Sequence, residues 1–342
     1  MALPPSLIGK LRATPLALGG APLGNLFRAV PDTEAQEVVR HAWSVGVRYF
    51  DTAPHYGNGR SEVRMGTALR DYPRGAYALS TKVGRLLDAD RRAARNQHGY
   101  VDVAAYAQHY DYTAEGVRRS LADSRMRMGI ERIDLALVHD VDVATRGDAH
   151  ERHLHDMLGS GLPELARLRD TNEIGGYGLG VNGVDICLRT LQDAELDAIL
   201  LAGRYTLADQ TALATLLPEC ERRNVAVIAA APFNSGILAT GSCPIDGSVP
   251  YFDYAPASAP VVARVAAIEV VCKEFAVPLM AAALQFPRAH PAVVCVLAGA
   301  RTAAEIATAL RLASLPIPPE FWQALRAQAL IAGDAPVPGE WP

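Results

Sequence analysis

The stretch Val47-Arg48-Tyr49-Phe50-Asp51-Thr52-Ala53-Pro54-His55-Tyr56-Gly57-Asn58-Gly59-Arg60-Ser61-Glu62 runs from an apolar segment through a Pro- and Gly-rich turn into a helical start. Strand, loop and helix in that order are half of a parallel βα unit. Asp51 ends the strand and Tyr56 stands on the loop, so both can face one pocket at the top of a sheet. The same alternation recurs on either side. Strand candidates are Leu16-Gly20, Val47-Phe50, Tyr77-Lys82, Ile133-His139, Gly175-Val181, Leu196-Ala202, Val225-Ala230 and Ala292-Leu297. Between them lie helix candidates with start signals, such as Asp32-Thr33 before Glu34-Val45, Thr113 before Ala114-Met128 and Thr302 before Ala303-Leu312.

Right-handed crossovers of this kind close a barrel or build an open doubly wound sheet, and periodicity does not choose between them. Eight units with one strand each predict a parallel (β/α)8 TIM barrel. No Gly-x-Gly-x-x-Gly follows the first strand, so the dinucleotide fingerprint of the open fold is absent. The expectation is one barrel domain over residues 1–342, with an irregular Pro/Gly-rich tail from about Gly333. Three connections, Gly84-Tyr112, Asp140-Ser160 and Thr240-Ala259, exceed what a barrel needs and read as long βα loops on the C-terminal face.

Composition narrows the function class. A net charge of −4 and no dense Lys/Arg stripe argue against nucleic-acid binding. The longest apolar runs are broken by Arg264, Glu269, Pro287 and Arg288, so none is a membrane span. Met1-Ala-Leu-Pro-Pro lacks the charged and apolar regions of a secretory signal, which predicts a cytoplasmic protein. The five cysteines are scattered, with no Cys-x-x-Cys, and read as reduced thiols. Nothing in the sequence marks an interface, so monomer and homodimer both stand.

Downstream of Tyr56, Lys82 ends the next strand candidate and His139 the one after it. Consecutive strand ends thus deliver Asp, Tyr, Lys and His to one rim. A phenol with an unperturbed pKa of about 10 needs a neighbouring cation to act as a proton-transfer group near neutrality. Lys82 is placed to be that cation, Asp51 to orient it, and His139 to donate a hydrogen bond to a substrate oxygen. Taken singly, each has a plainer reading: Asp51 a helix cap, Tyr56 a packed aromatic, Lys82 a rim residue, His139 a core histidine. Their joint placement carries the functional one.

These residues resemble the aldo-keto reductase family. The loop fits the family pattern Asp-Thr-Ala-x-x-Tyr-Gly-x-Gly-x-Ser-Glu, and Ser80-Thr81-Lys82-Val83 and Leu137-Val138-His139 fall where it places its lysine and histidine. The resemblance runs from about Leu16 to Leu312 and implies a barrel enzyme in which Asp51, Tyr56, Lys82 and His139 form the catalytic tetrad. It also implies a nicotinamide cofactor, NADP ahead of NAD. Asn182 is expected at the carboxamide and Tyr205 stacked on the nicotinamide. Pro232, Asn234, Ser235, Gly236 and Leu238 would lie along the pyrophosphate, and Gly299, Arg301 and Glu305 toward the adenosine. Many members carry a Gln before the stacking aromatic and a Glu-Asn pair in the last cofactor helix; here Ala202 and Thr308-Ala309 stand there. Arg301 is the cation available to a 2′-phosphate.

Gly20-Ala21-Pro22-Leu23-Gly24-Asn25, Pro54-His55-Tyr56-Gly57 and Leu201-Ala202-Gly203-Arg204-Tyr205-Thr206 are similar to bacterial aldose 1-dehydrogenases acting on L-fucose and D-threo-aldoses. That likeness implies oxidation of a pyranose at C1 to its lactone, with His55, Arg85 and His139 as sugar contacts. Another aldehyde substrate, pyridoxal or an aryl carbonyl, is the alternative. Tyrosines 100, 106, 110 and 112 in the first long loop suit either ring. A third reading, a metal-dependent hydrolase, would draw on His150, His153 and His155 with the acidic residues between them. That cluster lies within one polar connection and reads as a solvated helix face, so no metal is expected.

Overall fold

The computed structural model describes residues 3–340. Met1, Ala2, Trp341 and Pro342 lie outside it, and with them the outermost parts of both terminal segments. Among the described residues, eight parallel strands close into a barrel. In chain order they are β1 (Leu16–Gly19), β2 (Tyr49–Asp51), β3 (Ala78–Val83), β4 (Ile133–His139), β5 (Ile174–Val181), β6 (Ala198–Ala202), β7 (Ala226–Ala230) and β8 (Val293–Gly299). Each lies on its candidate segment, and β1 pairs with β8 to complete the ring.

Side chains alternate along a strand, so each strand has one set facing the barrel axis and one facing the helices. Tyr49, Ala78, Leu135, Leu137, Leu200, Ile228 and Leu297 belong to the inner core. Phe50, Leu79, Val83, Ala136 and Val138 belong to the layer between sheet and helices. By the same parity Asp51, Lys82 and His139 point inward, one step above Tyr49, Ser80 and Leu137. The register staggers them: Asp51 pairs with Ser80, Lys82 with Leu137 and His139 with Gly180. Three chemical groups therefore climb the inside wall of the barrel's C-terminal half.

The helices follow their predicted starts, over Asp32–Ser44, Ala114–Met128 and Ala303–Ala313. Thr113 and Thr302 accept from Gly116 N and Glu305 N, satisfying amides that the first turn leaves free. Three further elements go beyond the sequence reading. A short helix, Pro5–Leu11, sets Leu3, Leu7 and Leu11 into the inner core and plugs the N-terminal end of the barrel. The first long connection holds an antiparallel hairpin, Arg85–Ala89 with Tyr106–Tyr110, and the third holds a smaller one, Tyr251–Phe252 with Ala255–Pro256. No helix of the described residues is long and apolar enough to cross a membrane.

The second connection corrects one expectation. His150–Asp156 is a helix, but it is not solvated all round. His150 and His153 are buried, His150 Nδ1 meets Val141 O at 2.7 Å and His153 stacks edge-on against Tyr112. Glu151 faces out and pairs with Arg189.

Candidate active site

Asp51 and Lys82, each 1 % exposed, form an ion pair with Nζ 2.5 Å from Oδ1. Ser80 Oγ donates to the same oxygen at 2.5 Å, and Thr52 O accepts from Nζ at 3.0 Å. Lys82 thus crosses the top of the barrel in one fixed pose. Gly180 opposite makes room for it: a Cβ there would lie 2.8 Å from Lys82 Cε. Gly180→Ala is therefore expected to displace the ammonium and lower kcat about 100-fold with the fold intact, as read by steady-state kinetics and circular dichroism. A rate within twofold of the parent would show that the lysine's pose does not matter.

Tyr56 is carried by the loop after β2. Gly57, at φ +67, brings this loop against Gly24, where a Cβ would meet Gly24 O at 2.2 Å. Only glycine permits that approach in a left-handed conformation. The Tyr56 ring then lies 5.6 Å from Lys82 Nζ and 5.9 Å, edge-on, from His139. His139 is neutral, because burial, then Arg85, His55 and Lys82, hold its pKa well below the ordinary 6.5. Its Nε2 lies 3.4 Å from Asp140 Oδ2, which favours the proton on that nitrogen.

The electrostatics differ from the sequence expectation at one point. The Tyr56 phenol is held well above 10, chiefly by burial and next by Asp51. Lys82 does not lower it, because the ammonium is already neutralised by Asp51. In the resting site Tyr56 is a neutral phenol and a proton donor.

Two cavities meet at Tyr56. The first, of about 660 Å³, runs from Asp51 and Tyr56 past Gly19, Gly20 and Pro22 to Arg301 and Glu305. Its length and mostly apolar walls fit a dinucleotide. Pro232, Asn234, Ser235, Gly236, Gly299, Arg301 and Glu305 all line it, as do Thr308 and Ala309. Asn234, Ser235 and Gly236 have positive φ in succession. Among the described residues the Ser235 N–H has no backbone acceptor, the kind of free donor a phosphate takes. Asn234 lines the cavity while its side chain is tied to Thr206 and to Gly203 O.

Three predicted cofactor contacts are placed otherwise. The chain turns at Gly203 (φ +73) and carries Tyr205 outward into the layer behind the sheet. There it packs on Phe286 and His290, 2 % exposed, and lines neither cavity. Leu238 is likewise a core residue, fully buried beneath the turn. Asn182 lines the second cavity instead of the first.

The second cavity, of about 540 Å³, is polar. His55, Arg85 and His139 line it as expected, with His98, Tyr100, Tyr110 and Asp140. Arg85 is 5 % exposed and pairs with Asp140. Asp140 itself has φ +42, held by Tyr112 Oη and Thr145 Oγ1 donating to its carbonyl and by its own N–H on Gly180 O. Sequence reasoning missed Asp140, although it directly follows His139. Tyr254, on the hairpin turn of the third connection, lines both cavities. Arg204 pairs with the neighbouring Asp253, and Ser235 Oγ accepts from Tyr254 N at 2.8 Å.

Known proteins with related sequences and folds agree with this geometry. The chain is 41% identical over 333 residues to pyridoxal 4-dehydrogenase of Microbacterium luteolum, covering 94% of this chain and 96% of that protein. It is 37% identical over 321 residues to D-threo-aldose 1-dehydrogenase of a Pseudomonas species, covering 92% and 94%. Among solved structures, a glycerol dehydrogenase from Gluconobacter oxydans superposes with a TM-score of 0.71 at 22% identity, over 95% of this chain and 93% of that one. The profile of the aldo/keto reductase family matches residues 15–329. A closed barrel, an inward Asp–Lys–His ladder with a tyrosine above it, and this match over most of the sequence have one meaning: the chain belongs to the aldo/keto reductase family.

Proposed function

We propose that the protein is an NAD(P)-dependent dehydrogenase that oxidises C1 of a pyranose aldose, such as L-fucose, D-arabinose or a related D-threo-aldose, to its lactone. The observation that carries this reading is the meeting of a dinucleotide-sized cleft and a polar chamber at Tyr56. The identity to the aldose dehydrogenase supports it. When bound, the nicotinamide would accept the hydride from C1. Tyr56 exchanges the proton of the C1 hydroxyl, His139 donates a hydrogen bond to the same oxygen, and Lys82, held by Asp51, stabilises charge on the phenol oxygen.

A second reading has its own support in the 41% identity to a pyridoxal dehydrogenase and in Tyr100, which lies near-parallel to Tyr56 at 6.1 Å and offers an aryl ring a wall. The two readings share one chemistry. Pyridoxal carries a hydroxymethyl group beside its aldehyde and closes to a cyclic hemiacetal, as an aldose does. The reacting group is in both cases a lactol.

At the far end of the cleft Arg301 is paired with Glu305, its N–H on Oε2 at 2.8 Å and Nη2 3.1 Å from Oε1. A 2′-phosphate would take Arg301 from that pair, whereas a bare ribose would keep Glu305 as acceptor. The test is absorbance at the reduced-nicotinamide band with both dinucleotides and L-fucose, D-arabinose, L-galactose, D-glucose and pyridoxal. Growth of the band with L-fucose or D-arabinose is expected. Activity confined to pyridoxal or to reduction of aryl aldehydes would overturn the aldose assignment and keep the proton-transfer group.

A further inference from the structure

Asn58 Nδ2 donates to two backbone carbonyls, Ala104 O at 3.1 Å and Tyr106 O at 3.0 Å. Both partners can only accept, so the amide has one orientation and its Oδ1 must face Gln108. Gln108 Nε2 donates to that oxygen at 2.8 Å. This fixes the second amide in turn and points Gln108 Oε1 at His55 Nδ1, 3.0 Å away. A carbonyl oxygen needs a proton across from it, so Nδ1 carries one. Burial and Arg85 hold the ring's pKa down to about 3, so His55 has a single proton. Nε2 is therefore bare.

Arg85 Nη1 also lies 3.1 Å from Nδ1, yet its guanidinium is anchored through Nη2 on Asp140. Arg85 offers the ring only a donor. The alternative tautomer would set two acceptors against each other at 3.0 Å and would break the amide chain behind them. His55 lines the substrate chamber, its ring 5.7 Å from that of His139 and 6.3 Å from that of Tyr56.

We infer that Asn58 and Gln108 are positioning residues that hold His55 in the Nδ1–H form, so that Nε2 meets the substrate as a hydrogen-bond acceptor. With the Asp140 carboxylate it gives the chamber two acceptors, which select a lactol whose ring hydroxyls donate at those places. The substrate part rests on the function proposed above; the tautomer does not. A ligand that offers only carbonyl or ether oxygens there leaves both acceptors unpaired, a loss that discriminates strongly in a buried site.

Long-range proton–nitrogen spectra of the histidine rings in the 15N-labelled protein saturated with NADP test the tautomer directly, with His55→Asn identifying the signals. A protonated Nδ1 and an unprotonated Nε2 are expected. A protonated Nε2 in the parent protein would overturn the inference, whatever the variants do. Gln108→Leu is expected to abolish that pattern and to raise KM for the best lactol about tenfold, with kcat within twofold. Gln108→Glu keeps an acceptor and should restore both the pattern and most of the KM. Equal KM increases in the two variants would mean a merely structural role and sink the proposal. If no lactol is oxidised at all, the assigned function fails, while the spectra still decide the tautomer.

Discussion

Tyr56→Phe is expected to lower turnover about 10³-fold in both directions while dinucleotide affinity stays nearly unchanged. The ring still lines both cavities, so binding surfaces survive and only the proton-transfer hydroxyl is lost. The parent's pH profile should carry the signature of that hydroxyl. Burial and Asp51 raise the Tyr56 pKa, so across the neutral range the phenol keeps its proton. Reduction uses the protonated form and should be flat over that range. Oxidation needs the proton gone first, so its kcat/KM should climb about tenfold per pH unit into the alkaline range. Stopped-flow titration of cofactor binding and steady-state rates from pH 6 to 10, roughly the span in which the enzyme stays folded, would check both. A Phe variant of near-normal rate would remove Tyr56 from its role.

The second large effect concerns stability. Asp51 and Lys82 are both buried, and each is the other's only opposite charge within reach. Asp51→Ala strands the ammonium against Thr52 O alone and takes an acceptor from Ser80. Breaking a buried pair from one side costs about 3–5 kcal/mol. Asp51→Ala with Lys82→Met removes both charges and should recover most of that loss while staying inactive. Urea unfolding of the parent, single and double variants measures it. A single variant within about 1 kcal/mol of the parent would show that water reaches the pair.

The barrel was legible because its signals are local. Inward and outward sets alternate along every strand, and an apolar run such as Ile133-His139 needs no distant context to be seen. The Asp51, Lys82 and His139 set was legible for the same reason, since strand ends fix their place. The path of the chain beyond a strand end was not. Tyr205 and Leu238 were placed by motif, but the left-handed turn at Gly203 decides where Tyr205 goes, and no periodicity reports a turn's direction. The Arg85–Ala89 and Tyr106–Tyr110 hairpin escaped because its strands stand far outside ordinary hairpin spacing. Asp140 looked like loop punctuation, and only the fold shows Arg85 beside it. The Pro5–Leu11 helix is too short for periodicity to register and carries no side-chain cap.

That helix also bears on how the molecule is made. Leu3, Leu7 and Leu11 seat in a socket walled partly by Cys295 and Leu297, and β1 finds its second neighbour in β8. The first residues to leave the ribosome thus depend on almost the last ones synthesised. Until then the newborn chain must carry three greasy leucines at its tip and an open strand edge behind them, a hazard that chaperones exist to cover. Ring closure is consequently a late event in the life of the polypeptide, and a truncation that spares every residue of the active site but trims β8 would leave both ends of the chain without their seats.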